Sequence, residues 1–110
     1  MGVYRFTLEH DFRLILSYHT QGEVIFWRYL NYEPQEAEAI GRQLAEVNGY
    51  TLINEVETNS YAGYRDWFIG TYRRPGYTIE TGSGVNPLPI SQFEQIYQEN
   101  VKVLLLGAVL

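Results

Sequence analysis

The sequence predicts a single α/β layered domain, and three observations carry that expectation. Short apolar or aromatic runs of strand length alternate along the chain with stretches of helical periodicity. The chain has 110 residues, one domain's worth, of which 45% are hydrophobic and 15% aromatic against 19% charged, enough apolar material for a packed core. No internal repeat or low-complexity segment interrupts the alternation.

Taken in order, Val3 to His10 reads as the tail of a helix without a visible N-cap. Arg13 to Tyr18 is a short apolar run expected as a buried strand, and Glu23 to Tyr29 is a second, aromatic-rich one. From Pro34 the period changes: Ala37, Ile40, Leu44 and Val47 are spaced by three and four, Pro34 suits a first helical position, and Asn48-Gly49 suits a helix exit. Thr51 to Val56 reads as a strand and Asn59 to Tyr64 as a loop, after which a short helix opened by Asp66 runs to Tyr72. Pro75-Gly76 is a turn, Tyr77 to Thr81 a strand, and Gly82-Ser83-Gly84 with Pro87 and Pro89 a loop. A final helix is expected behind a capping box of Ser91 and Glu94, with Phe93, Ile96, Tyr97, Val101, Leu104, Leu105 and Ala108 on its apolar face.

Composition narrows the chemistry. Eight Lys and Arg against thirteen Asp and Glu leave a formal charge of -5, which disfavours a binder of the phosphate backbone, so no nucleic-acid partner is expected. No apolar run approaches the roughly 20 residues that cross a bilayer, and no basic segment followed by an apolar one opens the chain as a secretory signal would. With no cysteine, disulfides, thiolate zinc sites and a Cys nucleophile are excluded, and any metal must use His and carboxylate. Of the two histidines, His19 stands at the exit of an expected strand, where α/β folds place ligand sites; the plainer reading is a histidine hydrogen-bonded to backbone. Glu80 stands in an otherwise uncharged strand, where a carboxylate is paired, metal-linked or at a cleft, or else sits on a solvated sheet edge.

The segment Leu16-Ser17-Tyr18-His19-Thr20-Gln21-Gly22-Glu23-Val24-Ile25-Phe26-Trp27 resembles the part of zinc metallocarboxypeptidases, the carboxypeptidase A-like peptidases, that delivers the third zinc ligand from a strand end. Ser60-Tyr61-Ala62-Gly63-Tyr64-Arg65-Asp66-Trp67, followed by Tyr77-Thr78-Ile79-Glu80-Thr81-Gly82, is similar to that family's substrate-capping tyrosine, its Asp-Trp pair and its catalytic glutamate. The resemblance covers essentially the whole chain. Its His-Thr-Gln-Gly-Glu-Val wording is most similar to the bacterial γ-D-glutamyl-L-diamino acid endopeptidases, which cut peptidoglycan stem peptides.

The resemblance implies that residues 1–110 form the C-terminal portion of a carboxypeptidase-like mixed sheet flanked by helices, a partial catalytic domain. It implies a zinc cofactor with His19 as a ligand, Glu80 as general base and acid, Tyr61 as the residue closing on peptide substrate, and Arg65 in the pocket that receives an anionic group such as the extra carboxylate of a diamino acid. The family's His-x-x-Glu zinc motif and its Asn-Arg pair do not occur in the chain. One His and one carboxylate fall short of the three protein ligands of a catalytic zinc, so the chain alone is expected to be inactive and to pair with the missing N-terminal half or with a second copy as a homodimer. Two other readings compete: a non-catalytic module binding peptide or glycan, and a self-associating structural fragment. Location in the bacterial cytoplasm or, with a signal upstream, at the cell wall is left open.

Overall fold

In the computed structural model the described residues are 2–29, 32–55 and 63–110. They form helix α1 (Gly2–Glu9), strands β1 (Ile15–Thr20) and β2 (Val24–Phe26), helix α2 (Ala37–Asn48), strand β3 (Thr51–Ile53), helix α3 (Tyr64–Tyr72), strand β4 (Gly76–Thr81), a short 3₁₀ turn (Ile90–Gln92) and helix α4 (Phe93–Val109). The strands make one mixed sheet in the order β1-β4-β2-β3. β4 runs parallel to β1 and antiparallel to β2, and β2 runs parallel to β3.

Strand alternation divides the sheet into two faces. Tyr77 and Ile79 of β4 and Ile25 of β2 are fully buried on the face covered by α2 and α4, together with Ala37, Leu44, Tyr50 and Val103. The Tyr77 hydroxyl donates to the Ala37 carbonyl oxygen at 2.6 Å, tying the first turn of α2 to the central strand, and burial pushes its ionisation far up. Gly41 in α2 permits the close approach: a Cβ there would meet Leu52 Cδ1 at 3.0 Å and Tyr77 Cε1 at 3.2 Å. On the opposite face α3 packs against β1 and β4, with Phe68 and Ile69 buried. Helix α1 reaches α3 through Thr7, whose buried hydroxyl lies 2.6 Å from the Tyr64 hydroxyl, and through Tyr4, edge-on to Trp67.

Several expectations shift in detail. Pro34 precedes the second helix, which opens at Ala37 after Glu36 in the left-handed region (φ 66°), while Gly49 closes it at φ 76° as the sequence predicts. Asp66 lies within the first turn of α3, whose N-cap is Gly63. The Ser91–Glu94 capping box does not form: Ser91 lies in the 3₁₀ turn, Gln92 occupies the N-cap position, and Glu94 accepts a bond from Gln98 instead. The buried side of α4 is also rotated from the expected one, running through Asn100 and Val103 and leaving Phe93, Leu104 and Leu105 exposed.

The rotation has a cause in hydrogen bonding. Asn100 donates to the Tyr50 hydroxyl (3.0 Å) and the Ile96 carbonyl (3.0 Å), and its oxygen accepts from Tyr18 (3.3 Å) and Asn48 (3.2 Å). A buried amide with every group engaged is compatible with a core face. Burial raises the Tyr18 hydroxyl pKa to about 12. Tyr50 is pushed up further, by burial first and with the Glu99 carboxylate it bonds adding to it.

Candidate functional site

The parallel register of β1 and β4 sets His19 opposite Glu80 and Ser17 opposite Thr78. On the other side of β4, antiparallel pairing sets Val24 opposite Glu80 and Phe26 opposite Thr78. Residues directly opposite one another share a face, and the period of two places Ser17 with His19 and Thr78 with Glu80. This is the face on which α3 packs. Its first turn, with Gly63, Tyr64, Arg65 and Asp66, walls a cavity of about 240 Å³ floored by Ser17, His19, Phe26, Thr78 and Glu80. Three stretches far apart in sequence, around His19, Arg65 and Glu80, therefore meet in one place.

The Ser17 hydroxyl lies 3.2 Å from His19 Nε2, so Nδ1 is the ring nitrogen with no hydrogen-bond partner among the described residues. The His19 carbonyl oxygen accepts from the Thr81 hydroxyl at 3.3 Å. Glu80 is half-buried on the central strand, with the backbone of Gly22 close by: a Cβ on Gly22 would lie 3.6 Å from Glu80 Cβ.

Arg65 and Asp66 form the wall. Arg65 Nε and Nη2 donate to the same Asp66 oxygen at 3.0 and 2.7 Å, and the two side chains are 4% and 1% exposed. The remaining guanidinium nitrogen, Nη1, is buried without a hydrogen-bond partner among the described residues. Arginine stays charged in proteins, so the lining of the cavity includes a fixed, buried cation.

His10 is elsewhere. Its Nδ1 lies 2.7 Å from the Phe6 carbonyl oxygen, and its ring is tilted against Phe6 and stacked on Phe12 in an exposed three-ring cluster. Tyr61 lies outside the described residues. Sequence reasoning did not single out Ser17, the pairing of Asp66 with Arg65, or the lining roles of Phe26 and Thr78. Ser17 and Thr78 could have been found from strand alternation, each standing two residues before a candidate on the same strand.

An imidazole nitrogen is a donor that zinc accepts, so His19 fits one position of a zinc site, with the Glu80 carboxylate opposite it on the adjacent strand. Among the described residues, no group of three or more His, Cys, Asp or Glu is arranged to hold a metal ion. Among the same residues, no helix is long and apolar enough to cross a membrane.

No protein-family model matches the chain. It is 49% identical over 104 residues, 94% of its length, to γ-D-glutamyl-L-diamino acid endopeptidase 1 of Lysinibacillus sphaericus, and 41% identical over 104 residues to the uncharacterized protein YqgT of Bacillus subtilis (strain 168). It spans only about a quarter of these relatives, 26% and 28% of their lengths. In fold it is similar to the crystal structure of carboxypeptidase A from Helicoverpa armigera, with a TM-score of 0.68 over 88% of this chain and 29% of that one, at 19% sequence identity. The expected carboxypeptidase-like mixed sheet flanked by helices is thus the observed fold.

Proposed function

We propose that the chain is part of the catalytic unit of a zinc-dependent peptidase that hydrolyses an amide bond in peptidoglycan stem peptides. The observation that carries the reading is the pairing of His19 with Glu80 across β1 and β4 beneath the buried Arg65. The similarity to a relative whose name gives γ-D-glutamyl-L-diamino acid endopeptidase supports the substrate class.

In this reading His19 is a zinc ligand, through the ring nitrogen that Ser17 leaves open. Bound zinc supplies Lewis acidity, polarising the scissile carbonyl and making water more acidic. Glu80 takes the proton of the attacking water and returns it to the leaving amine nitrogen. Arg65 Nη1 receives an anionic group, such as the carboxylate of a diamino acid, while Asp66 keeps the rest of the guanidinium fixed in the plane that a carboxylate meets. Tyr61 is the further substrate-binding residue of this reading. A catalytic zinc takes about three protein ligands, so the complete peptidase requires ligands beyond His19, and the 110-residue chain by itself is inactive on peptides.

Glu80→Gln in the complete peptidase tests the reading. Zinc content and substrate affinity should persist while turnover of a γ-D-glutamyl-diamino acid peptide falls by about a hundredfold or more, because the amide cannot accept the proton. Turnover close to that of the unaltered protein would remove Glu80 from the chemistry.

A further inference from the structure

The two halves of the candidate site are held very differently. Glu80 lies on β4, which is hydrogen-bonded to a strand on each side. His19 lies near the end of β1, an edge strand among the described residues, where Tyr18, His19 and Thr20 are all exposed. The end of such a strand frays unless something holds it.

Beyond the sheet ladder, the loop that follows β4 holds this end. The Thr20 hydroxyl donates to Asn86 Oδ1 at 2.9 Å, and Asn86 Nδ2 donates back to the Thr20 carbonyl oxygen at 3.3 Å. The Gly22 N–H donates to the Gly82 carbonyl oxygen at 2.9 Å, just past the pair. The loop is itself anchored: Gln92 accepts from the Ser83 N–H at 3.1 Å and donates to the Ser83 carbonyl oxygen at 2.8 Å. Leu88 folds back so tightly over Gly82 (φ 77°) that a Cβ there would collide with its Cδ1. Asn86 is therefore presented from a braced loop and grips the residue next to His19 at two points.

We infer that Asn86 is a positioning residue for the His19 imidazole, acting through Thr20 and touching neither His19 nor the cavity. The ring's orientation depends on where the backbone of residues 18–20 lies, because its Ser17 bond at 3.2 Å is made along the same strand. One bond from Asn86 to the Thr20 carbonyl oxygen and one from the Thr20 hydroxyl to Asn86 hold that end of the strand. The consequence for zinc rests on the reading of His19 as a ligand; the consequence for strand order does not.

The test is Asn86→Ala in the 110-residue chain, read by amide hydrogen exchange resolved along β1 and by titration with zinc alone. Exchange at the His19 amide, which faces β4, should accelerate by about tenfold or more, as two hydrogen bonds are lost, with the amides of α4 unchanged. Zinc affinity should fall by a comparable factor. Thr20→Ser keeps both partners of Asn86 and should behave as the unaltered chain, whereas Thr20→Val, lacking the hydroxyl donor, should show part of the loss. Unchanged exchange in Asn86→Ala, or a Thr20→Ser chain as loose as Asn86→Ala, would overturn the inference. Faster exchange together with a His19→Ala chain that keeps its zinc affinity would support the positioning role while overturning His19 as a ligand.

Discussion

Asp66→Asn probes the wall of the cavity at its most constrained point. One Asp66 oxygen accepts two bonds from Arg65, at 3.0 and 2.7 Å, and both side chains are almost fully buried. The amide keeps the shape and removes the charge, so the guanidinium is left in a buried site without its counter-charge and with Nη1 already lacking a partner among the described residues. Arginine cannot relieve this by losing its proton. Removing one member of a buried ion pair costs about 3–5 kcal/mol. At roughly 4 °C or more per kcal/mol for a domain near this size, the thermal midpoint should fall by more than about 10 °C. Urea titration and a thermal scan followed by circular dichroism measure both quantities. The double variant Arg65→Met/Asp66→Asn should recover most of the loss, because neither charge is then stranded. A single-variant loss below about 1 kcal/mol, or a double variant no more stable than the single, would show that Asp66 does not balance the guanidinium.

The other expectations are simpler to read. His19→Ala should sharply reduce zinc affinity in a calorimetric titration and His10→Ala should leave it intact; equal losses would make His10 a ligand. Stability should decline as pH rises above about 10, the ordinary tyrosine pKa. Burial keeps Tyr18 protonated to about pH 12 and Tyr50 and Tyr77 beyond that, so in this window the unfolded chain binds fewer protons than the folded one. Tyr18→Phe should flatten that decline in alkaline denaturation curves, and an unchanged slope would contradict the assignment. The chain should also self-associate, since Phe93, Tyr97, Leu104, Leu105 and Val109 are exposed on α4 beside the edge strand β1. Sedimentation showing a monomer at high micromolar concentration would refute this.

Local signals in the sequence marked the elements well and their faces less well. Helix α2 announces itself through Ala37, Ile40 and Leu44 and ends at its glycine, because propensity, period and turn chemistry agree there. In α4 they disagree. Seven apolar residues suggested one face, yet Asn100 lies at the centre of the buried one because Tyr18, Asn48 and Tyr50 converge on its amide from other elements. Val47 is exposed and Asn48 buried for the same reason. No periodicity reports a polar core position whose partners are distant in sequence.

The site shows a similar division. That His19 and Glu80 stand out chemically is visible in the chain itself, His19 at the exit of an apolar run and Glu80 in an otherwise uncharged strand. That they are opposite one another depends on the register of a parallel pair, which Gly76 opposite Ile15 starts and Thr81 opposite Thr20 ends. A slip of one residue would turn His19 to the face of α2 and α4. Gly76 resists such a slip, because a Cβ at that position would meet Ile69 at 3.2 Å and both Arg65 and Ile15 at 3.4 Å. The same small residue thus lets α3 lie close to the sheet and lets Arg65 reach the cavity. Register, helix docking and the buried cation share one cause, so a bulkier residue at Gly76 should disturb all three together, whereas changes at the Asn86 clamp should loosen His19 alone.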